Sequence, residues 1–328
     1  MDSRKLVDYA IRAPSGHNTQ PWTFRVQENE IQIHPDFSRR LPVVDSDDHA
    51  LYISLGCAAE NIMIAATHYG FQPSFSLFTS NKDSRAIRIG LSRNEKAAED
   101  GLFHFINERQ STRNEYDDKE VPADALNSLA NSSDFEGTDL ICITGREKIN
   151  VLKPFIIEGS NRQFENSAFV DELVSWIRFS EKNAQETGDG LRASSLGVPS
   201  LGRWIGSFVI KNIVSAKSEA KRWKSLIDAS AGFFLFAVEE NDIPHWIRLG
   251  RSFQRFALTA AKLDISHAHV NMPCEELEIR RRMAGEFGLQ NQHPLLLIRF
   301  GYSEKMPCSF RRPVDEVLEP GQKVHEAE

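Results

Sequence analysis

Residues 51–66, "LYISLGCAAENIMIAA", align without gaps with residues 245–260, "HWIRLGRSFQRFALTA". Ile53, Leu55, Gly56 and Ala66 meet Ile247, Leu249, Gly250 and Ala260, while Tyr52 meets Trp246 and Glu60 meets Gln254. Apolar residues recur every three or four positions in both stretches, the mark of a helix with a packed face. Four identities in sixteen positions can also arise between unrelated amphipathic helices. Each helix is followed later by an apolar strand ending in Gly-x-Ser, "IRIGLS" (87–92) and "LIRFGYS" (297–303), and this second match favours duplication. Two such halves would pack like the subunits of a dimer fused into one chain.

Outward from these helices, the pattern reads as alternating helices and short strands. Lys5–Ile11 forms a helix that stops before Pro14, and "TFRV" and "IQIHP" form a hairpin. "FSLFTS" and "AIRIGLS" are strands, and "AAEDGLFHFINERQ" (97–110) returns to helix. In the second half, "VPADALNSLANS" is a helix, "DLICIT" a strand, and "AGFFLFAV" a strand buried on both faces. A mostly helical stretch from about Gly145 to Ser215 is broken by "TGDGLRASSLGVPSLG" (187–202), which reads as a loop or flap. "SHAHV" is a short strand, "CEELEIRRRMAGEFG" a helix, "PLLLIRFGYS" the last strand, and "FRRPVDEVLEP" an extended or loosely helical tail.

With 328 residues the chain has room for two domains, and it can bury a core without staples. Its net charge of −7 argues against a nucleic-acid partner, although local arginine clusters can still bind a small anion. Cys57, Cys142, Cys274 and Cys308 are scattered, without a CxxC pair, and are expected to be reduced thiols. The N-terminus carries no apolar signal-like run and no window approaches an uninterrupted membrane span, so a cytoplasmic protein without a membrane partner is expected.

The chemistry-bearing residues fall into a few groups. "RQSTR" puts Arg109, Ser111 and Arg113 at alternate positions, which face one way in an extended segment. Two guanidiniums and a hydroxyl suit a phosphate or another oxyanion, and a solvated basic strip has the same pattern. Arg311 and Arg312 in "SFRRP" raise the same pair of readings. No GxGxxG follows a strand, and "GVPSLGRW" from Gly197 has Arg203 and Trp204 where a P-loop needs Lys and Ser/Thr. His267 and His269 in "SHAHV" could share a metal, but no acidic or cysteine ligands have matching spacing, so packed strand histidines are expected.

The stretch "RAPSGHNTQPW" (12–22) is too polar and proline-broken for a core element. Ser15, Asn18 and Gln20 can donate and accept, Gly16 permits close backbone approach, Pro14 and Pro21 stiffen the ends, and Trp22 adds an apolar wall. Such a loop suits a planar heterocycle, or equally a capped turn before a strand.

"PSGHNTQPW" resembles the loop of the nitroreductase family, FMN-dependent flavoproteins that work as intertwined homodimers. In that family one subunit supplies an R-x-S-x-[RK] motif and the other a P-S-x-x-N-x-Q-P-W loop. Here Arg109, Ser111 and Arg113 match the first and residues 14–22 the second, within one chain and in reversed order. Arg311 matches a late phosphate-binding arginine, and Asn271 and Met272 match a turn beside the flavin. The arrangement is similar to a double-repeat, dormancy-associated (Acg-like) subgroup, whose lid is resembled by "ELVSWIRFS...GDGLRASSLG".

The resemblance implies an α+β nitroreductase-like fold of two fused repeats forming an intramolecular pseudo-dimer, each with a mainly antiparallel sheet flanked by helices. The repeats would span 1–106 and 107–328, with a lid insertion at about 160–206 in the second. The cofactor site would comprise Pro14, Ser15, Gly16, Asn18, Gln20, Arg109, Ser111, Arg113, Asn271, Met272 and Arg311. Arg109, Ser111 and Arg311 would hold the phosphate, and Arg113 would lie near N1 and O2 of the ring. No side chain is assigned as a catalytic acid or base.

The first repeat lacks an R-x-S-x-R motif and the second lacks the loop, so one FMN per chain is expected. The implied activity is reduction of nitroaromatic or quinone-like electron acceptors by NADH or NADPH through FMN, in a monomer or a further homodimer. The alternative is a protein that stores or sequesters FMN under its lid. A flavin-free pseudoenzyme is disfavoured by the intact arginines.

Overall fold

The structure is a computed structural model that describes residues 3–81, 84–94, 100–117, 119–196, 202–212 and 215–319. The first half contains α1 (Ser3–Ala10), β1 (Trp22–Gln27), β2 (Glu30–Pro35), α2 (His49–His68), β3 (Phe71–Asn81) and β4 (Ser84–Arg93). The second begins with α3 (Ala123–Ser132), β5 (Thr138–Thr144) and α4 (Arg146–Glu165). It continues through α5 (Ser167–Trp176), β6 (Ile177–Arg178), α6 (Glu181–Thr187), β7 (Leu191–Arg192), α7 (Arg203–Asn212) and α8 (Ala216–Asp228). It ends with β8 (Gly232–Val238), α9 (Ile243–Lys262), β9 (Ser266–His269), α10 (Met272–Glu275), α11 (Leu277–Glu286), β10 (His293–Gly301) and α12 (Val314–Val317).

The strands form two four-stranded antiparallel sheets, ordered β1-β2-β4-β3 and β5-β8-β10-β9. Counted within each sheet, the order is first, second, fourth, third in both. In both, the long helix α2 or α9 connects the second strand to the third. The chain is thus a mixed α+β protein with two like antiparallel sheets flanked by helices, as expected from the sequence.

The two long helices pack on each other at their glycines. A Cβ on Gly56 would lie 2.1 Å from the carbonyl oxygen of Ile247, and one on Gly250 would lie 2.0 Å from that of Ile53. The contacts are reciprocal, with aligned residues exchanging roles as they do across a two-fold axis. The Cys57 thiol donates to the Gly250 carbonyl at 3.1 Å, and the Gln254 amide donates to Asn61 at 2.6 Å. Arg251 and Arg255 bond the buried Glu60 at 2.8 and 2.9 Å. By length and apolarity α2 could cross a membrane, but 83% of its most apolar window is buried within the protein, so it is a core helix.

The α1–β1 connection and the α3–β5 connection occupy matching places, and they differ sharply. The first is the long polar loop. The second is only residues 133–137, and it brings Phe135 against Arg251, whose guanidinium lies 5.3 Å from that ring and 4.3 Å from the Phe75 ring.

Several expectations are corrected. Of the helix expected over 97–110, residues 97–99 lie outside the described residues, and 100–110 hold a single 3-10 turn, Phe103–Phe105, which packs Phe103 against the core. The helix expected from Cys274 is broken at Glu276, whose backbone is extended (φ −88°, ψ 103°). Of the flap, residues 197–201 lie outside the described residues, as does the tail from Pro320. The four cysteines are free thiols.

Candidate functional site

The loop after α1 turns through the short 3-10 segment Gly16–Asn18. His17, Asn18 and Gln20 all have positive φ (46°, 55° and 54°), which non-glycine residues adopt at a cost. Hydrogen bonds hold them there. The Ser15 hydroxyl accepts from the Gln20 amide N–H at 2.9 Å. The Asn18 side chain donates to the carbonyls of Gly190 (3.0 Å) and Phe310 (3.2 Å). The Gln20 side chain donates to the Gly188 carbonyl (2.8 Å) and accepts from the Arg312 N–H (2.9 Å).

The loop therefore ties together two distant segments, the lid strand and the C-terminal arm. Asp189 in the lid pairs with Arg39, and it accepts from Arg178 at 2.7 and 2.9 Å. Arg39 and Arg178 each lie near the Trp176 ring, at 5.3 and 5.6 Å. On the other side Arg192 donates to the Cys308 carbonyl at 2.9 Å.

Under this lid lies a cavity lined by Pro14, Ser15, Asn18, Arg109, Ser111, Arg113 and Arg311, seven of the residues named from sequence. Its lining also includes Arg12, Gln110, Leu191, Ser195, His269 and Cys308 and, among the described residues, no acidic side chain. Arg109 is only 7% exposed, and its side chain makes one hydrogen bond, to the Arg12 carbonyl at 3.1 Å. Its Nε and Nη1 are buried without an acceptor. Burial pushes the Arg113 guanidinium down to about 10, with Arg222, Arg299 and Arg109 adding like-charge repulsion. Burial pushes Arg311 down to about 9, with Arg109 and Arg12 reinforcing the shift. Buried cations without a carboxylate are held at a cost that an anion in the cavity would relieve.

Arg311 has less freedom than the sequence suggested. Its guanidinium donates to the carbonyls of Ile11 (2.8 Å), Phe310 (3.0 Å), Ser309 (3.2 Å), Arg12 and Ala13 (both 3.3 Å). It anchors the loop's entry and adds positive charge. Arg299 does a similar service from β10: it stacks on the Tyr116 ring at 4.0 Å and donates to the Asn114 carbonyl at 2.7 Å, steadying the segment beyond Arg113.

Four expected residues are not brought to the cavity lining. Gly16 packs beside Leu41, where a Cβ would sit 3.1 Å from its methyl. The fully buried Gln20 spends its amide on Gly188 and Arg312, so it clamps the loop. The Asn271 side chain accepts from the Leu297 N–H at 2.9 Å, and Met272 packs against Gly159.

His269, expected from sequence to be a packed strand histidine, lies in the cavity wall 4.9 Å from the Phe253 ring, a placement that sequence reasoning did not foresee. Its pKa falls to about 3 through burial, then Arg113 and Arg109. His17 falls to about 4 through burial and then Arg113. Both imidazoles are therefore neutral beside the arginines. The strand alternation had marked His269, but only the fold brings Arg109 and Arg113 to it.

A larger open cleft of about 440 Å³ lies where α2 and α9 begin, lined by Tyr52, Trp246, Asp47, Asp48 and Asp242 among others. Its acids are engaged: Asp48 pairs with Arg40, Asp47 with His49, and Asp242 caps α9. Asp45, Asp47 and His49 come within 4.8 Å of one another, and Asp45 is occupied in accepting from the N–H groups of Ala50 and Leu51. The unsatisfied charge lies in the arginine-lined cavity.

These features define a class: a two-sheet α+β protein whose polar loop and basic segment, from opposite halves of the chain, enclose an anion cavity. No protein-family model matches the chain. Two curated relatives from strains of Mycobacterium tuberculosis, provisionally named NAD(P)H nitroreductases, are each 23% identical over 326 residues, 96% of this chain and 90% of theirs. Over nearly its whole length the chain is thus similar to proteins named as nitroreductases. Among solved structures it is similar to an FMN-bound nitroreductase from Bacteroides fragilis (13% identity, 70% of this chain and 100% of that one, TM-score 0.41). It is also similar to one from Desulfitobacterium hafniense (10% identity, 67% and 98%, TM-score 0.39). These structural likenesses are distant, and the architecture above rests on the chain's own sheets and helices.

Proposed function

We propose that the protein is an FMN-dependent NAD(P)H oxidoreductase that reduces nitroaromatic or quinone-like acceptors. The observation that carries this reading is the acid-free arginine cavity with Arg109 buried and two of its nitrogens unbonded. That donor set fits the phosphate of FMN: a dianion supplies the acceptors Arg109 lacks and neutralises several buried cations at once. The names of the curated relatives support the nicotinamide donor.

FMN, when bound, would accept a hydride and pass electrons to the acceptor. The residues would bind and orient it. Arg109 and Ser111 would contact the phosphate, and Arg311 would add charge while holding the loop entry. Arg113 would lie beside the ring edge where negative charge develops on reduction, stabilising it. Ser15 and Asn18 would face the ring from the opposite half of the chain. Leu191 and Ser195 would exclude water from above. The neutral His17 and His269 would leave the positive charge concentrated on the arginines.

In this reading 1–106 and 107–328 are two repeats that contribute one motif each, giving one FMN per chain. The supporting detail is the short 133–137 connection, which stands where the other half has the polar loop and brings Phe135 against Arg251, itself paired with Glu60.

A second reading, FMN storage with little turnover, draws on the lid, which Asn18, Gln20, Arg39, Arg178 and Arg192 fasten from several sides. One experiment separates the readings: anaerobic titration of the purified yellow protein with NADPH and NADH, following flavin absorbance. Bleaching by either nucleotide supports the oxidoreductase. Bleaching by dithionite alone replaces it with storage, and a colourless protein that does not take up added FMN overturns both.

A further inference from the structure

Helix α7 presents Trp204, Ile205 and Phe208, which are 92%, 60% and 61% exposed. Positions separated by three or four residues share one side of a helix. The other side is seated on the lid. Gly206 lies so close to the Phe179 ring that a Cβ would fall 2.1 Å from it, and Ile210 packs on the cluster of Ile177, Phe179 and Leu191. The helix is therefore docked by one face and turns a second apolar face outward. Such a cluster is unusual on a protein surface and marks an interaction site.

The next helix along the chain, α8, supplies the partner's chemistry. Lys217, Lys221 and Lys224 recur at four- and three-residue spacing and are exposed, as is Arg222. From Arg203 to Lys224 the chain has six Lys/Arg against one acidic residue, Glu219, in a protein of net charge −7. Glu219 is itself bonded by Arg222 at 3.0 Å.

We propose that α7 and α8 form a docking surface for an anionic lipid bilayer, with Trp204, Ile205 and Phe208 entering the headgroup boundary and the α8 lysines meeting the lipid charges. Exposed tryptophan and phenylalanine on one helix, followed in the chain by a basic stripe on the next, are the composition of segments that lie in a membrane interface. The acidic remainder of the chain is repelled by the same surface, so the charge distribution orients the molecule with this side down. Self-association through a two-fold axis would set basic stripe against basic stripe, which disfavours a second copy as the occupant. The sequence expectation of no membrane partner rested on the lack of a spanning run, and a surface-lying helix needs none. The proposal is independent of what fills the cavity.

The test is flotation of the full chain with vesicles of phosphatidylcholine alone or mixed with phosphatidylserine, at low and high salt. The expected result is binding to the mixed vesicles only, reversed by salt, with a blue shift of tryptophan emission that Trp204→Ser abolishes. Lys221→Gln and Lys224→Gln should each weaken binding about fivefold. Circular dichroism of each variant checks that it folds. Equal binding to both vesicle types, absence of binding, or undiminished binding by the Trp204 and lysine variants would overturn the proposal. So would light scattering showing a dimer that Trp204→Ser dissociates, or tighter binding to a DNA duplex than to the mixed vesicles.

Discussion

At the scale of residues, the site separates groups that would meet the cofactor from groups that hold the site together. Arg113→Ala should weaken FMN binding and lower the flavin's reduction potential, read by equilibrium dialysis and dye-linked titration; an unchanged potential would sink its ring-charge role. Gln20→Leu should act differently. It strands the Gly188 carbonyl and the Arg312 N–H, at a cost of about 1–3 kcal/mol in urea denaturation of the apoprotein. This distinction was not legible in the sequence, where Asn18 and Gln20 are equivalent polar loop residues. Only the positive φ at Gln20 and its burial turn its amide away from the cavity.

Glu275 supplies a pH dependence. Burial raises its pKa to about 7, and Gln163 donates to it at 2.6 Å. The folded chain therefore keeps a proton that the unfolded chain loses at lower pH. This residue's contribution makes stability fall as pH rises from its ordinary value of 4.5 towards 7, and level off above. Glu275→Gln should flatten that part of the profile, measured as denaturation midpoint against pH, and leave the variant more stable than wild type at alkaline pH.

At the scale of elements, the crossing of α2 and α9 sets the relation between the halves. Gly56→Ala would drive a methyl into the Ile247 carbonyl, and Gly250→Ala into that of Ile53. Each should destabilise the fold by about 3 kcal/mol or more, since neither helix backbone can yield alone. The matching Gly56 and Gly250 were readable from the ungapped alignment because helix periodicity survives in sequence. The lid's attachment was not. Arg39 and Asp189 are 150 positions apart, and nothing local to either announces the other. Likewise the residues 97–110 have helical composition, yet the core claims Phe103 through a tighter turn. Asp189→Ala should loosen the lid and speed FMN release several-fold in stopped-flow fluorescence. Release at the wild-type rate would mean that the lid does not limit exit.

At the scale of the whole molecule, two sheets of like strand order are joined in one chain, and the connections at matching places differ: the polar loop of residues 12–22 lines a cavity, while residues 133–137 bring Phe135 against Arg251. Calorimetric titration with FMN should give a stoichiometry of one per chain, and two would refute the reading of the Arg251 packing. In an assembly of identical subunits, a substitution alters every site at once. In a chain that joins its two halves each place can change alone: Arg251 sits between Phe75 and Phe135 in one, and the arginine-lined cavity lies beside the polar loop of the other. With one FMN per chain, a monomer would titrate as a single redox centre, and cooperativity that grows with protein concentration would report the pairing of whole chains.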